Sequence, residues 1–192
     1  MSARDRILNA LKMNKPAAVP LPDLETAAIN SPDDILETFT RQVQVVGGHV
    51  QVLEQEGALY QLISDDRASG QFIINRLPNG GHIDEVPADT VKLASVNRAY
   101  LKGSFGVAEN GAIWVMESAM GNRILPFICE QLVLVINKHE LVANMHAAYA
   151  AIQINREGYG VFIAGPSKTA DIEQSLVIGA HGPKALTVLI IL

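Results

Sequence analysis

Cysteine is almost missing from this sequence. Cys129 is the only one, so no internal disulfide can form, and without a CxxC pair or a Cys/His cluster the chain offers no ligand set for zinc or an iron–sulfur cluster. A reducing, cytoplasmic compartment is the expectation, with no metal and no cofactor. Long apolar runs are missing too. Nothing approaches the ~20 apolar residues of a membrane span, and the N-terminal MSARDRILNALKMNK is charged throughout, unlike a signal peptide. There is also no basic block. The formal charge of −5 is spread along the chain and leaves no electrostatic footprint for nucleic acid or an anionic membrane. Internal repeats and low-complexity tracts are absent.

What is present suffices for one core. With 192 residues, 48% hydrophobic and 18% charged, the chain is long enough to bury a substantial interior within a single domain. Ile7, Leu8 and Leu11 fall on one face of a short N-terminal helix, and the prolines of PAAVPLPDL stop it, so residues 1–30 read as a helix and a proline-rich arm. Ser31-Pro32-Asp33-Asp34 supplies an N-cap hydroxyl, a proline for the first helical position and acidic groups for the positive end of the dipole. From there Ile35, Phe39, Val43 and Val46 recur at helical spacing until Gly47-Gly48.

VQVL, LYQLI and FIINRL follow as brief runs suited to strands or a small helix, then a loop at 77–87 rich in turn residues. AIWVM (112–116) and LVLVIN (132–137) read as buried strands. Leu141, Met145, Tyr149 and Ile152 form a helical stripe before the strand VFIAG, and LTVLIIL closes the chain as one more buried strand. Strand, helix and strand in that order predict a βαβ unit and a mostly parallel sheet flanked by helices.

Chemistry is expected first where VFIAG runs into Gly165-Pro166-Ser167-Lys168-Thr169-Ala170-Asp171-Ile172-Glu173. A strand end turning into a helix start is where open α/β sheets bind ligands. Backbone N–H groups there can accept a carboxylate or phosphate, with Lys168 adding charge, Ser167 and Thr169 hydroxyls, and Asp171 a further polar contact. The same residue types equally well cap a helix and complement its dipole. No GxxxxGK[ST] loop is present. The turn Gly106-Val107-Ala108-Glu109-Asn110-Gly111 offers a second site. Glu109 there is a candidate nucleophile or general base with Asn110 beside it, and a solvated turn before a strand is the alternative. His181, in GAHGP, is a loop imidazole able to titrate near neutrality. His82, Asp84 and Glu85 have no identifiable fourth ligand and read as solvated. Arg123 and His146 are candidate anion contacts or surface groups.

GPSKTADIEQSLVIGAHGPKALTVLII resembles the C-terminal signature of the LUD-domain family, of the lactate-utilisation protein C type: GPS, a basic residue, TADIE, then GxHGP before the last strand. GVAENGAIWV and NRILPFICEQLVLVI resemble two further segments of that family, so the likeness runs from about Ile35 to Leu192, and 31–192 is expected to be the LUD domain. The resemblance implies a three-layer α/β fold similar to the sugar-phosphate isomerase and coenzyme A transferase superfamily. It also implies work alongside two iron–sulfur-containing proteins in oxidising L-lactate to pyruvate, this chain being the cluster-free member. Coenzyme A transferases of class I carry a nucleophilic glutamate in a similar Glu-Asn-Gly context, which by analogy gives Glu109 a catalytic role; His181 is the second catalytic candidate, on its loop imidazole alone. Three readings stay open: a partner-dependent component of lactate oxidation that binds a small carboxylate or a partner subunit, an autonomous enzyme using Glu109, and a sugar-phosphate or anion-binding module. A homo-oligomer is compatible with each.

Overall fold

Alternation along the apolar strands decides the layering. In the computed structural model, which describes residues 2–20, 32–78, 81–152, 158–170 and 176–192, the elements in chain order are α1 (Ala3–Met13), α2 (Pro32–Val45), β1 (His49–Leu53), α3 (Glu56–Ala68), β2 (Ile73–Asn75), α4 (Thr90–Ala94), β3 (Arg98–Lys102), β4 (Phe105–Val107), β5 (Ala112–Met116), α5 (Glu117–Met120), α6 (Leu125–Ile128), β6 (Gln131–Asn137), a 3-10 turn (Lys138–Glu140), β7 (Leu141–Val142), α7 (Met145–Ala151), β8 (Gly160–Ile163), β9 (Lys168–Ala170), β10 (Leu176–Ile178) and β11 (Ala185–Ile191). Five strands form an all-parallel sheet in the order β1-β11-β6-β3-β2. Successive residues point to opposite faces of such a sheet. Leu132, Leu134 and Ile136 of β6 therefore join Ala99, Leu101, Val188 and Ile190 on one face, against Phe39 and Val43 of α2. Val133 and Val135 join Tyr100 and Leu189 on the other, against Leu59 and Ile63 of α3. Strands covered on both sides must be apolar on both sides, which is why LVLVIN and LTVLIIL are unbroken runs.

A second sheet, in the order β7-β4-β5-β8, shares the first core through Ile113 and Val115. Only Gly103 and Ser104 separate β3 from β4, so the chain passes from one sheet directly into the other. Helix α3 is fixed to its face by a polar knot. Asp66 accepts from Arg98 Nη1 at 2.5 Å and from the Tyr100 hydroxyl at 2.6 Å, and Arg98 also donates through Nε to Gln131 at 3.0 Å. Helix α1 buries none of its residues and is held locally: the Ser2 hydroxyl accepts from Asp5 N, and Asp5 returns the contact at Ser2 N. No helix among the described residues is long and apolar enough to cross a membrane.

Three expectations are corrected. No βαβ unit links LVLVIN to VFIAG: β6 belongs to the parallel sheet, whereas β8 pairs antiparallel with β5 in the second sheet. The stripe from Leu141 to Ile152 is two elements, because Leu141 and Val142 pair with Gly106 and Val107, and Asn144 then caps α7 through Ala147 N. Lys168, directly after Gly165-Pro166-Ser167, begins a strand and not a helix. Lys168–Ala170 and Leu176–Ile178 form a two-stranded antiparallel ladder in which Thr169 faces Val177. Lys168–Ala170 is extended, so these residues supply no helix N-terminus. Ser31, Asp171, Ile172 and Glu173 lie outside the described residues.

Candidate functional site

The C-terminal end of α2 organises the sequence signature. Gly48 N donates to Val43 O at 2.8 Å and Gly47 N to Gln44 O at 2.9 Å, with Gly47 at φ +84°, which is the paired closure of a Schellman motif. Two turns of the second sheet press against this end. Gly111 would place an added methyl group 2.7 Å from Val43 N, and Gly165 (φ +70°) would place one 2.3 Å from Val46 O. The pairing of Ile113 with Ile163 brings the turns that carry Gly111 and Gly165 to the same end of the second sheet. Lys168 arrives here as well. A methyl group at Gly47 would lie 3.3 Å from its ammonium nitrogen, and α2 has no basic residue in its own last turn. Lys168 thus supplies the cation that the negative end of the helix dipole favours.

The two glycine-rich halves of the signature clasp each other. Ser167 N donates to Pro183 O and Gly179 N donates to Ser167 O, each at 2.9 Å, and Gly182 packs so tightly on Ser167 that an added methyl group would sit 2.9 Å from its Cβ. Pro166 is buried, and His181 is carried on the exposed side of the same loop. Lys184 closes the clasp by donating to Glu130 at 2.6 Å, and the exposed pair holds Glu130 below the usual carboxylate range. Two clefts flank the clasp at the amino ends of β6 and β11. One, of about 350 Å³, is lined by Ser95, Asn97, Cys129, Glu130, Gly182 and Lys184; the other, of about 210 Å³, by Phe127, Leu132, Phe162, Pro166, Ser167 and Pro183. Cys129 is 1% exposed, and burial pushes its thiol up to about 12.

Glu109 is held apart from the clasp in its contacts. Its carboxylate accepts from Met145 N at 2.9 Å, the first residue of α7, while its own N–H donates to Ala143 O at 3.1 Å. Asn110 is used locally, its side-chain oxygen accepting from Ala112 N at 3.0 Å. The turn is therefore built as a brace between β4 and α7. Among the other candidates, Asp84 accepts from Asn75 N at 2.8 Å and from Arg67 Nη2 at 2.8 Å, and His82 gives its carbonyl to Asn75 Nδ2 at 2.9 Å. These contacts pin the loop to β2, and among the described residues no three His, Cys, Asp or Glu side chains group to hold a metal ion. Arg123 forks onto Glu117 at 2.7 and 2.9 Å and lies 4.8 Å from the centre of the Tyr159 ring. His146 is exposed on α7.

The opposite end of the parallel sheet carries polar groups that sequence reasoning missed. At the carboxyl end of β3, Lys102 donates to Glu140 at 2.5 Å, and the same Glu140 oxygen accepts from Asn137 N at 2.7 Å at the end of β6. This pair stands over a cavity of about 170 Å³ whose other walls include Leu59, Leu77, Val135 and Ile191. A wider recess of about 450 Å³ opens on the far side of the 3-10 turn, among Ile35, Lys138, His139, Leu141 and Leu192. The available signal was positional: each of Lys102 and Asn137 is the polar residue that ends an apolar strand.

Comparison with known proteins agrees with this architecture. A family model for the LUD domain matches residues 68–191. Lactate utilization protein C of Geobacillus sp. (strain WCH70) is 27% identical over 202 aligned positions, spanning 98% of this chain and 79% of that protein. Lactate utilization protein C of Shouchella clausii is 39% identical over 82 positions, spanning 40% of this chain and 36% of that protein, so some matches cover only a part of the relative. The crystal structure of a DUF162 family protein from Deinococcus radiodurans superposes with a TM-score of 0.67 over 84% of this chain and 99% of the other, at 18% identity. The fold is thus that of a solved protein, with its parallel central sheet flanked by helices. With the family model matching well over half of its length, this chain belongs to the LUD-domain family.

Proposed function

We propose that this chain is a component of an L-lactate utilisation system, in which it serves the oxidation of lactate to pyruvate without a redox centre of its own. The observation that carries the reading is the alignment of 98% of the chain with a protein named Lactate utilization protein C. Its donor chemistry agrees. Iron–sulfur clusters are held by sets of cysteine thiolates, and one buried cysteine makes no such set. Electron transfer would fall to iron–sulfur partner subunits in the cytoplasm, with this chain binding a small carboxylate, a partner, or both.

A strain lacking the chain should fail to grow on L-lactate as sole carbon source and recover when the gene is returned. Unchanged growth overturns the reading. The purified chain alone should leave L-lactate unoxidised in the presence of an artificial electron acceptor; turnover by the isolated protein would remove the partner-dependent role.

A further inference from the structure

Open parallel sheets bind ligands outside the carboxyl ends of their strands, where connections diverge and leave a crevice. In this chain that end is not where the sequence signature lies. The clasp of Ser167 on Pro183 sits at the amino end of β11, whereas Lys102, Asn137 and Glu140 stand at the carboxyl ends of β3 and β6. The cavity of about 170 Å³ beneath them has one polar rim and otherwise apolar walls, which is the division of labour expected of a small-ligand site. It is well below the ~300–1,000 Å³ of sites for drug-sized ligands, so it suits a molecule of a few carbons. The rim presents both signs. Lys102 has three N–H donors and its side chain is 33% exposed; Glu140 is acceptor-only and 22% exposed.

We infer that this cavity binds a short 2-hydroxy acid, its carboxylate on the Lys102 ammonium, its hydroxyl donating to Glu140, and its alkyl end against Leu77, Val135 and Ile191. The position and polarity come from the geometry; the choice of a hydroxy acid over other small anions rests on the lactate reading above. Asn137 N orients Glu140, which in turn holds Lys102, so the donor and the acceptor are fixed before a ligand arrives. A hydroxy acid meets both, a simple carboxylate only the first.

The test is titration of the full chain with L-lactate, propionate and inorganic phosphate, followed by amide chemical-shift changes. L-lactate should bind with a Kd on the order of millimolar or tighter, shift Lys102, Val135, Asn137 and Glu140, and bind several-fold more tightly than propionate, while phosphate leaves these amides unmoved. Lys102→Met should weaken L-lactate at least about tenfold, Lys102→Arg less, and Glu140→Gln should narrow the gap between L-lactate and propionate. Lys92→Met, an exposed lysine on α4, should change nothing. Shifts confined to Gly165, Ser167 and Gly182, or no binding of L-lactate to the unaltered chain, overturn the inference whatever the variants do. The two readings fail separately: loss of growth on lactate without binding here leaves the function and removes the site, and binding here without a growth phenotype does the reverse.

Discussion

Replacing Gly165 by alanine should be among the most damaging single changes available in the signature, and for a reason unrelated to ligands. At φ +70° a side chain costs about 1–2 kcal/mol. The added methyl group would also stand 2.3 Å from Val46 O, a backbone atom fixed by the closed end of α2. Displacing that end or the turn adds about 1–3 kcal/mol, as overpacking does elsewhere. Together these give a loss of about 2–5 kcal/mol, a large share of the ~5–15 kcal/mol that usually separates folded from unfolded. Gly70 isolates the second contribution. It has nearly the same backbone conformation, φ +78°, but nothing within 4 Å of an added methyl group. Gly70→Ala should therefore cost only about 1 kcal/mol, once the stiffening of the unfolded chain offsets part of the strain. Urea denaturation of both variants, followed by circular dichroism, reads the difference directly. For a chain of this size each kcal/mol also moves the melting temperature by roughly 2–4 °C. Equal losses at Gly165 and Gly70 would refute the argument that the signature glycine is there to let β8 pass the end of α2.

Two further predictions follow from the polar contacts. Burial first, and the hydrogen bond to Asp66 second, push the Tyr100 phenol up to about 12, so the folded chain holds that proton more tightly than the unfolded one. Stability from this group is complete below pH ~10, the ordinary tyrosine value, and is lost as pH rises from ~10 to ~12. Tyr100→Phe should cost about 1–2 kcal/mol at pH 7 and flatten the alkaline decline of the urea midpoint; an unchanged slope between pH 9 and 11 would sink this account. Glu109→Ala should cost about 1 kcal/mol by freeing Met145 N, and Glu109→Gln less, since the amide oxygen still accepts. Complementation of growth on L-lactate decides the residue's standing: a Glu109→Gln chain that folds normally yet fails to complement would show that the carboxylate has a chemical task beyond bracing α7.

Much of the fold was legible in the residues, and the limits have physical causes. Ile35, Phe39, Val43 and Val46 recur at helical spacing and end in two glycines, and α2 occupies that stretch with Phe39 and Val43 fully buried. LVLVIN and LTVLIIL were readable as buried strands because both of their faces are covered. What failed depended on partners distant in sequence. VFIAG looks the same whether its neighbour is parallel or antiparallel, and only the pairing of Ile163 with Ile113 decides. The strand end turning at Gly165-Pro166 suggested a helix start, yet Lys168 and Thr169 lie in a ladder opposite Ile178 and Val177. The signature was legible as a motif because glycine is forced where Gly182 meets Ser167 and Gly165 meets α2. The pair at the other end was not, because 38 residues separate Lys102 from Glu140 and neither is unusual in its local sequence.

The burial of Cys129 makes the chain carry its own unfolding clock. With the thiol near 12, fewer than about one molecule in a thousand holds a thiolate at pH 8, and the sulfur is walled in by the core that α2, β3 and β6 share. A thiol-specific chromogenic reagent should accordingly report opening of that core at a single position, with no competing cysteine to correct for. The rate of colour development would then time how often the core beside Cys129 opens under native conditions, and its slowing by an added metabolite would register binding that holds this part of the fold closed.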